Sequence, residues 1–221
     1  TFVPMQMAYA DSAFSGGNGT MDDPYLITSA NDFKQLATEV NGGNNYSNTY
    51  FKIPETVTET IELSTDDGYV PIGNDTNQFE GTFDGGNHTI NLNLTGERLV
   101  GLFGEEGENS NLCNIRTTGS VSMTGYYAGG IVANMYGNVV NCHNEASVTG
   151  YYHVGGIVGI SDNSKYIINC SNSGAIVGNM NVGGIVGNIS TLKVINCLNT
   201  GTVQGGSCGG IAGYCGIFRL I

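Results

Sequence analysis

The side chains best suited to chemistry in this 221-residue chain are 19 carboxylates, three histidines, six cysteines and two tyrosine pairs. Two carboxylates flanking one bond would serve glycoside hydrolysis, and an acidic cluster beside a base would serve a calcium-assisted lyase. The acidic groups gather early, at Asp22-Asp23, Asp66-Asp67, Asp75 and Asp84, while the regular repeats further on hold almost none. Adjacent aspartates of this kind solvate a surface more readily than they build a site. The segment Gly16-Gly-Asn-Gly-Thr-Met-Asp22 brushes against a calcium-binding nonapeptide, but that motif works in tandem and here occurs once. No His-Glu-x-x-His is present, and His88, His143 and His153 form no His-Cys cluster at zinc-ligand spacing. Catalytic, metal and cofactor residues are therefore all expected to be absent, and the chain reads as non-enzymatic.

Tyrosines carry the plainest binding signal. Tyr126-Tyr127 and Tyr151-Tyr152 each follow a Thr-Gly and precede a Gly-Gly, so the spacing predicts that they lie side by side on one turn. Such a row could stack on sugar rings, form a hot spot for a protein partner, or simply shield the turn backbone. With a net charge of -12 and only seven Lys plus Arg, a nucleic-acid partner is excluded, and anionic membrane surfaces are disfavoured. No apolar run is long enough to span a bilayer.

The cysteines belong to a repeating frame. Gly129-Gly130, Gly155-Gly156, Gly183-Gly184 and Gly209-Gly210 are spaced 26, 28 and 26 residues apart by subtraction. Asn141-Cys142, Asn169-Cys170 and Asn196-Cys197 recur with them, each followed by a second asparagine at Asn144, Asn172 or Asn199. A degenerate copy sits earlier, with Gly101-Leu-Phe-Gly104 and Asn114-Ile115 in the corresponding places. A period between about 20 and 50 residues marks a solenoid.

Which solenoid follows from composition. With 35 Gly, 4 Pro and no Trp, the chain suits short strands joined by tight turns. Helical arrays are disfavoured because each glycine inside a helix costs roughly 1 kcal/mol. The pattern predicts an all-β, right-handed, single-stranded parallel β-helix, one coil per unit, with coils about 4.8 Å apart. Period-2 alternation places Val140 with Cys142, Ile168 with Cys170 and Ile195 with Cys197 on one face, pointing into the bore. Val121, Val148, Ile176 and Val203 form another inward row. Ala146, Gly174 and Gly201 mark turns where glycine would accept a positive φ. The asparagines are expected to form amide ladders. Cys142, Cys170 and Cys197, stacked in one row, are read as a thiol ladder because three in a line cannot all pair and their spacing exceeds a relaxed disulfide's. Ile157-Val158 and Ile185-Val186 are adjacent, so a straight strand would leave an outward aliphatic stripe fit for lateral association; a bent corner would bury both.

The ends of such a stack need covers. Residues 1–13 are read as a flexible leader, in which Ala8-Tyr9-Ala10 either closes a signal peptide or occurs by chance. The single domain, 14–221, divides into a cap with irregular coils over 14–98 and regular coils over 99–221. Within the cap, Ser29 to Asn41 carries a Ser cap, Asp32 in capping-box position, and Phe33, Leu36, Ala37 and Val40 on one face, which predicts an N-terminal helical cap. The final Gly213 to Ile221 begins a further unit and is expected either to fold over the end or to run on into more chain; end-to-end self-association is the other way to cover it.

The ordered set Phe14 to Asn41, then Pro71-Ile-Gly73, Phe79-Glu-Gly-Thr-Phe-Asp-Gly-Gly86 and the Gly-Gly-Ile-Val repeats resembles the GLUG-motif proteins of bacterial surfaces. Ala133 and Ala212 depart from that pattern at positions where packing is affected more than role. The resemblance implies a secreted or cell-surface protein, in a family whose repeats occur in adhesin-like proteins and beside the protease domain of IgA-specific zinc metallopeptidases. It supplies no catalytic residues. Two functions remain open: a scaffold for adhesion, display or spacing, whose partner is a host or bacterial surface glycan or protein, and a glycan-binding or glycan-processing module of a larger surface protein.

Overall fold

The computed structural model describes residues 14–161, 165–191 and 193–216. The leader and the last five residues, with the readings attached to them, lie outside the described residues. The chain winds into a parallel β-solenoid in which, among the described residues, every strand pairing between neighbouring coils is parallel; sheet 1, whose seven strands run from Tyr25–Leu26 to Lys193–Ile195, counts the turns. Each regular coil passes from sheet 1 to sheet 2, which carries the second asparagine, then to sheet 3 (Tyr127–Gly129 and its equivalents) and sheet 4 (Val132–Met135 and its equivalents). The repeat arithmetic holds in space: Gly129, Gly155, Gly183 and Gly209 pair in succession, and so do Val132, Val158, Val186 and Ala212.

One continuous core fills the bore. Its N-terminal part is aromatic, with Phe51–Phe79, Phe79–Phe103 and Phe83–Phe103 ring centroids 5.8, 5.3 and 5.5 Å apart. Later coils replace these rings by Leu112, Val139, Ile167 and the valines of sheet 4. The helix α1, Ala30–Asn41, forms as its residues predict, with Ser29 and Asp32 completing the capping box. Burial pushes the Asp32 carboxyl upward, but hydrogen bonds from Thr28, Ser15 and Ser29 outweigh it and hold its pKa below the ordinary value. The apolar face of α1 joins the core, Phe33 meeting Phe83 at 5.6 Å.

One inward row differs from simple alternation. Val139 and Ile167 are fully buried, whereas Val140 and Ile168 are half-buried and Ile195 is 43% exposed. The cause is the asparagine between strand and cysteine: Asn114, Asn141, Asn169 and Asn196 all have φ of 53 or 54°. A left-handed residue turns the corner between sheets 1 and 2, so Val139 and Cys142, three apart, face inward together. Asparagine is the non-glycine residue that tolerates this conformation best. The aliphatic row on the outside is therefore Val140, Ile168 and Ile195. Ile157, Val158, Ile185 and Val186 are all buried, because the Gly-Gly corner bends between sheets 3 and 4. Gly174 and Gly201, for their part, are not left-handed; a Cβ on either would lie 2.0 Å from a carbonyl oxygen of the coil beneath.

Both amide ladders exist. The outer one runs from Asn196 to Asn169 (2.8 Å), to Asn141 (3.1 Å), to Asn114 (3.4 Å) and ends on the carboxylate of Asp84 (2.9 Å). The inner one is buried: Thr117 Oγ1 donates to Asn144 (2.8 Å), Asn144 to Asn172 (2.7 Å), and Asn172 to Asn199 (2.8 Å). Each inner amide also bonds the carbonyl two residues on, at Ala146, Gly174 or Gly201, and so satisfies the backbone where sheet 2 breaks. The two sequence motifs meet here. A Cβ on Gly156 would stand 2.5 Å from Asn172 Cγ and 2.2 Å from the Gly184 carbonyl oxygen, so the corner admits only glycine.

All six cysteines are free thiols. Cys142 and Cys170 are buried, and the Cys142 amide donates to Cys170 Sγ at 3.4 Å. The side-chain hydrogen bond with Cys142, aided by burial, holds the Cys170 thiol far above its ordinary range.

Urea midpoints should separate the ladders: Asn172→Ala costs about 2–4 kcal/mol because it strands buried partners, Asn169→Ala about 1–2 kcal/mol from left-handed strain, and Asn169→Gly still less. In the native protein iodoacetamide should alkylate exposed Cys208 and leave Cys142 and Cys170 unmodified until denaturant is added, as peptide mass mapping would show.

Candidate functional site

The four tyrosines come together on the entry to sheet 3, with an offset of one residue. Register runs Ala128 to Val154 and Gly129 to Gly155, so Tyr126 stands over Tyr152 and Tyr127 over His153. The first turn has three residues between Gly125 and Gly129, the second four between Gly150 and Gly155. His153 absorbs the extra residue as a left-handed bulge at φ 46°, followed by Asn181 at φ 53° in the next coil. The Asn181 amide donates to His153 Nδ1 at 3.1 Å.

The rings of Tyr126 and Tyr152 are stacked, 6.0 Å apart at an interplanar angle of 16°, and Tyr151 meets Tyr152 edge-on at 4.6 Å. Tyr127 packs against His153 at 5.3 Å. Tyr126 and Tyr151 are 55% and 46% exposed, whereas Tyr127 and Tyr152 are half-buried supports. The column continues to exposed Met180, paired with Tyr152. In the other direction Tyr127 pairs with Leu99, which places Tyr126 over Arg98. The Arg98 guanidinium bonds Asp75 at 2.8 Å, and Arg98, Tyr126 and Tyr127 line an open recess. Sequence reasoning found the tyrosines but not Arg98, Met180 or Asp75 as their neighbours. The signal was available in the glycine spacing, since 126, 152 and 180 follow the same 26- and 28-residue steps as Gly129, Gly155 and Gly183.

The acidic residues serve other ends. Asp22, Asp23, Asp66 and Asp67 are exposed. Asp84 terminates the outer amide ladder; burial, aided by the Asp84 charge, pushes the Cys113 thiol up to about 11. Glu105 and Glu106, directly after the degenerate Gly-Leu-Phe-Gly, are the acidic pair that the sequence reading passed over. Glu105 accepts from Gln78 (2.6 Å) and Asn134 (3.0 Å). Glu106 is fully buried and accepts the backbone N–H groups of Tyr136 (3.1 Å) and Gly137 (2.9 Å). Burial outweighs those bonds and raises its carboxyl pKa to about 8. Among the described residues no group of three or more His, Cys, Asp or Glu is placed to hold a metal ion.

No family model matches the chain. Over 141 residues it is 33% identical to a "Putative Gly-rich membrane protein" of Evansella cellulosilytica, a match covering 61% of this chain and 16% of that protein. Over 155 residues it is 36% identical to "Halomucin" of Haloquadratum walsbyi, covering 66% of this chain and 2% of that protein. The chain thus spans a small part of the curated relatives it matches. A crystal structure of a "putative immunoglobulin A1 protease" from Bacteroides ovatus superimposes with a TM-score of 0.74 at 24% identity, covering 92% of this chain and 65% of that one, which establishes the shared solenoid fold. The chain is a β-helix repeat domain that resembles segments of these larger proteins. No helix among the described residues is long and apolar enough to cross a membrane.

Glu106 makes stability depend on pH. Its folded pKa lies above the ordinary 4.5, so the folded state holds the proton more tightly; that stabilisation is complete below about pH 4.5 and is lost as pH rises through about 8. Urea midpoints should fall over this interval, by up to about 1.4 kcal/mol per pH unit, and Glu106→Gln should flatten the profile and be the more stable form at pH 9.

Proposed function

We propose that this chain is a non-enzymatic β-helix module of a secreted or cell-surface protein, of the GLUG-motif kind, that carries an adhesive or display surface on its tyrosine column. The single observation behind this reading is the division of labour around each coil. Inside, the asparagines, cysteines, glycines and aliphatic residues are spent on stacking one coil on the next. Outside, exposed Tyr126 and Tyr151 stand on half-buried Tyr127 and Tyr152 and run on to exposed Met180, one prebuilt aromatic and apolar column on a chain of net charge -12. Exposed, prebuilt aromatic clusters are the surface feature most often given over to partners. The matches to a membrane protein and to halomucin, each over a fraction of a much longer chain, support a role as one module among several.

The carboxylates support the non-enzymatic part of the proposal, since Glu105, Glu106 and Asp84 are each tied into structural hydrogen bonds. Two measurements test the reading. Antibody against the domain should label intact producing cells or their medium, and the purified domain should adhere to the target surface at least about tenfold better than a variant with all four tyrosines changed to serine, a difference of about 1.4 kcal/mol. Equal adhesion by the variant, or release of new reducing ends from surface polysaccharides by the wild type alone, would count against it.

A further inference from the structure

We infer that the recess between Arg98 and Tyr126 is a binding site for a neutral glycan, entered by one sugar ring. The inference rests on the tyrosine column being a contact surface and adds its ligand class. Tyr126 is covered on one side only. Toward the C-terminal coils its ring stacks on Tyr152. Toward the N-terminal side its neighbour in the column is Arg98, one coil below, where the coil spacing of about 4.8 Å would let a guanidinium lie flat on the ring. Arg98 instead turns aside to Asp75 at 2.8 Å, with both side chains solvent-accessible, and among the described residues no cation stands over Tyr126. Elsewhere on the solenoid an exposed ring is covered in this way: Lys193 Nζ sits 5.1 Å above Tyr166.

A flat, half-exposed aromatic face thus opens beside a paired donor and acceptor. A pyranose offers the complement of both, an apolar C–H face for the ring and adjacent hydroxyls that accept from a guanidinium and donate to a carboxylate. Charge decides between neutral and acidic sugars. The local pair cancels, so Arg98 has no uncompensated charge to give a carboxylated or sulfated sugar, and the net charge of -12 repels a polyanion. The ring stack on Tyr152 and the half-buried Tyr127 hold the Tyr126 ring in place before binding, which reduces the ordering cost.

The test is a glycan array carrying neutral hexose oligomers beside sialylated and uronate-bearing ones, followed by titration calorimetry with the best retained oligomer. Neutral oligomers should be retained, with little change between 50 mM and 500 mM salt, roughly in contrast to a screened ionic contact. Tyr126→Ala and Arg98→Ala should each weaken binding about tenfold or more, whereas Tyr126→Phe should keep most of it. Because Tyr126 and Arg98 are exposed, urea midpoints should match the wild type and so separate lost binding from lost fold. Retention of acidic glycans that vanishes with salt, retention indifferent to Tyr126→Ala, or no retention of any neutral oligomer would each overturn the inference. If adhesion to the target surface persists in Tyr126→Ala but is lost on changing Tyr151 and Tyr152, the contact-surface proposal survives and the recess does not bind the ligand.

Discussion

The structure depends on one contact: the second glycine of the Gly-Gly corner, at Gly130, Gly156 and Gly184, pressed against the side-chain amide of the second asparagine of the following coil, Asn144, Asn172 and Asn199. The glycine lets the backbone of one coil approach the carbonyl of the next, and the amide fills the space that remains while bonding both along the axis and to its own turn. A slip of one residue in either segment would strand a buried amide, at a cost of about 1–3 kcal/mol for each group left unpaired. Every column in the molecule, including the exposed tyrosines, takes its position from that register.

The N-terminal coils meet the same demand by other means. They lack the Asn-Cys pair and fill their part of the bore with phenylalanine rings, Phe83 and Phe103 standing in register with Leu112 and Val132 of the next coil. Asp84 then hands over from one regime to the other. It stands one residue before the asparagine column, in register with Cys113, and its carboxylate accepts the last amide of the outer ladder. On sheet 2 Thr117 plays the corresponding part, its hydroxyl meeting the first amide of the inner ladder. The regular stack is thus started by two residues that are chemically compatible with the ladder without being part of it.

Glycine spacing was enough to read the architecture, the order of the columns and the paired amides from residue types alone, and Ser29 with Asp32 was enough for the helix. What escaped the sequence was conformational. Alternation assigned Val140 and Ile168 to the interior because it assumes extended backbone throughout, and a left-handed asparagine between strand and cysteine reverses the parity at that corner. The tyrosines were matched through the preceding Thr-Gly, and His153 shifts that match by absorbing one residue. Arg98 escaped notice because it stands three residues before the degenerate Gly101, where the later coil carries Tyr126, and a cation there breaks the match by residue type. Glu106 was hidden by the assumption that an acidic pair faces water, whereas the two N–H groups that satisfy it lie some 30 residues further along the chain.

The two amide ladders run in opposite senses. In the outer ladder every side chain donates toward the N-terminal end, from Asn196 down to Asp84; in the inner ladder the donors point the other way, from Thr117 up to Asn199. Their side-chain dipoles therefore oppose one another along the axis. An α-helix accumulates partial charge at its tips as its peptide dipoles align; here each added coil contributes two amide vectors that largely cancel. Elongation by repetition thus builds up no axial polarisation from these columns, and a rod of many such turns carries no more electrostatic penalty from them than a rod of four.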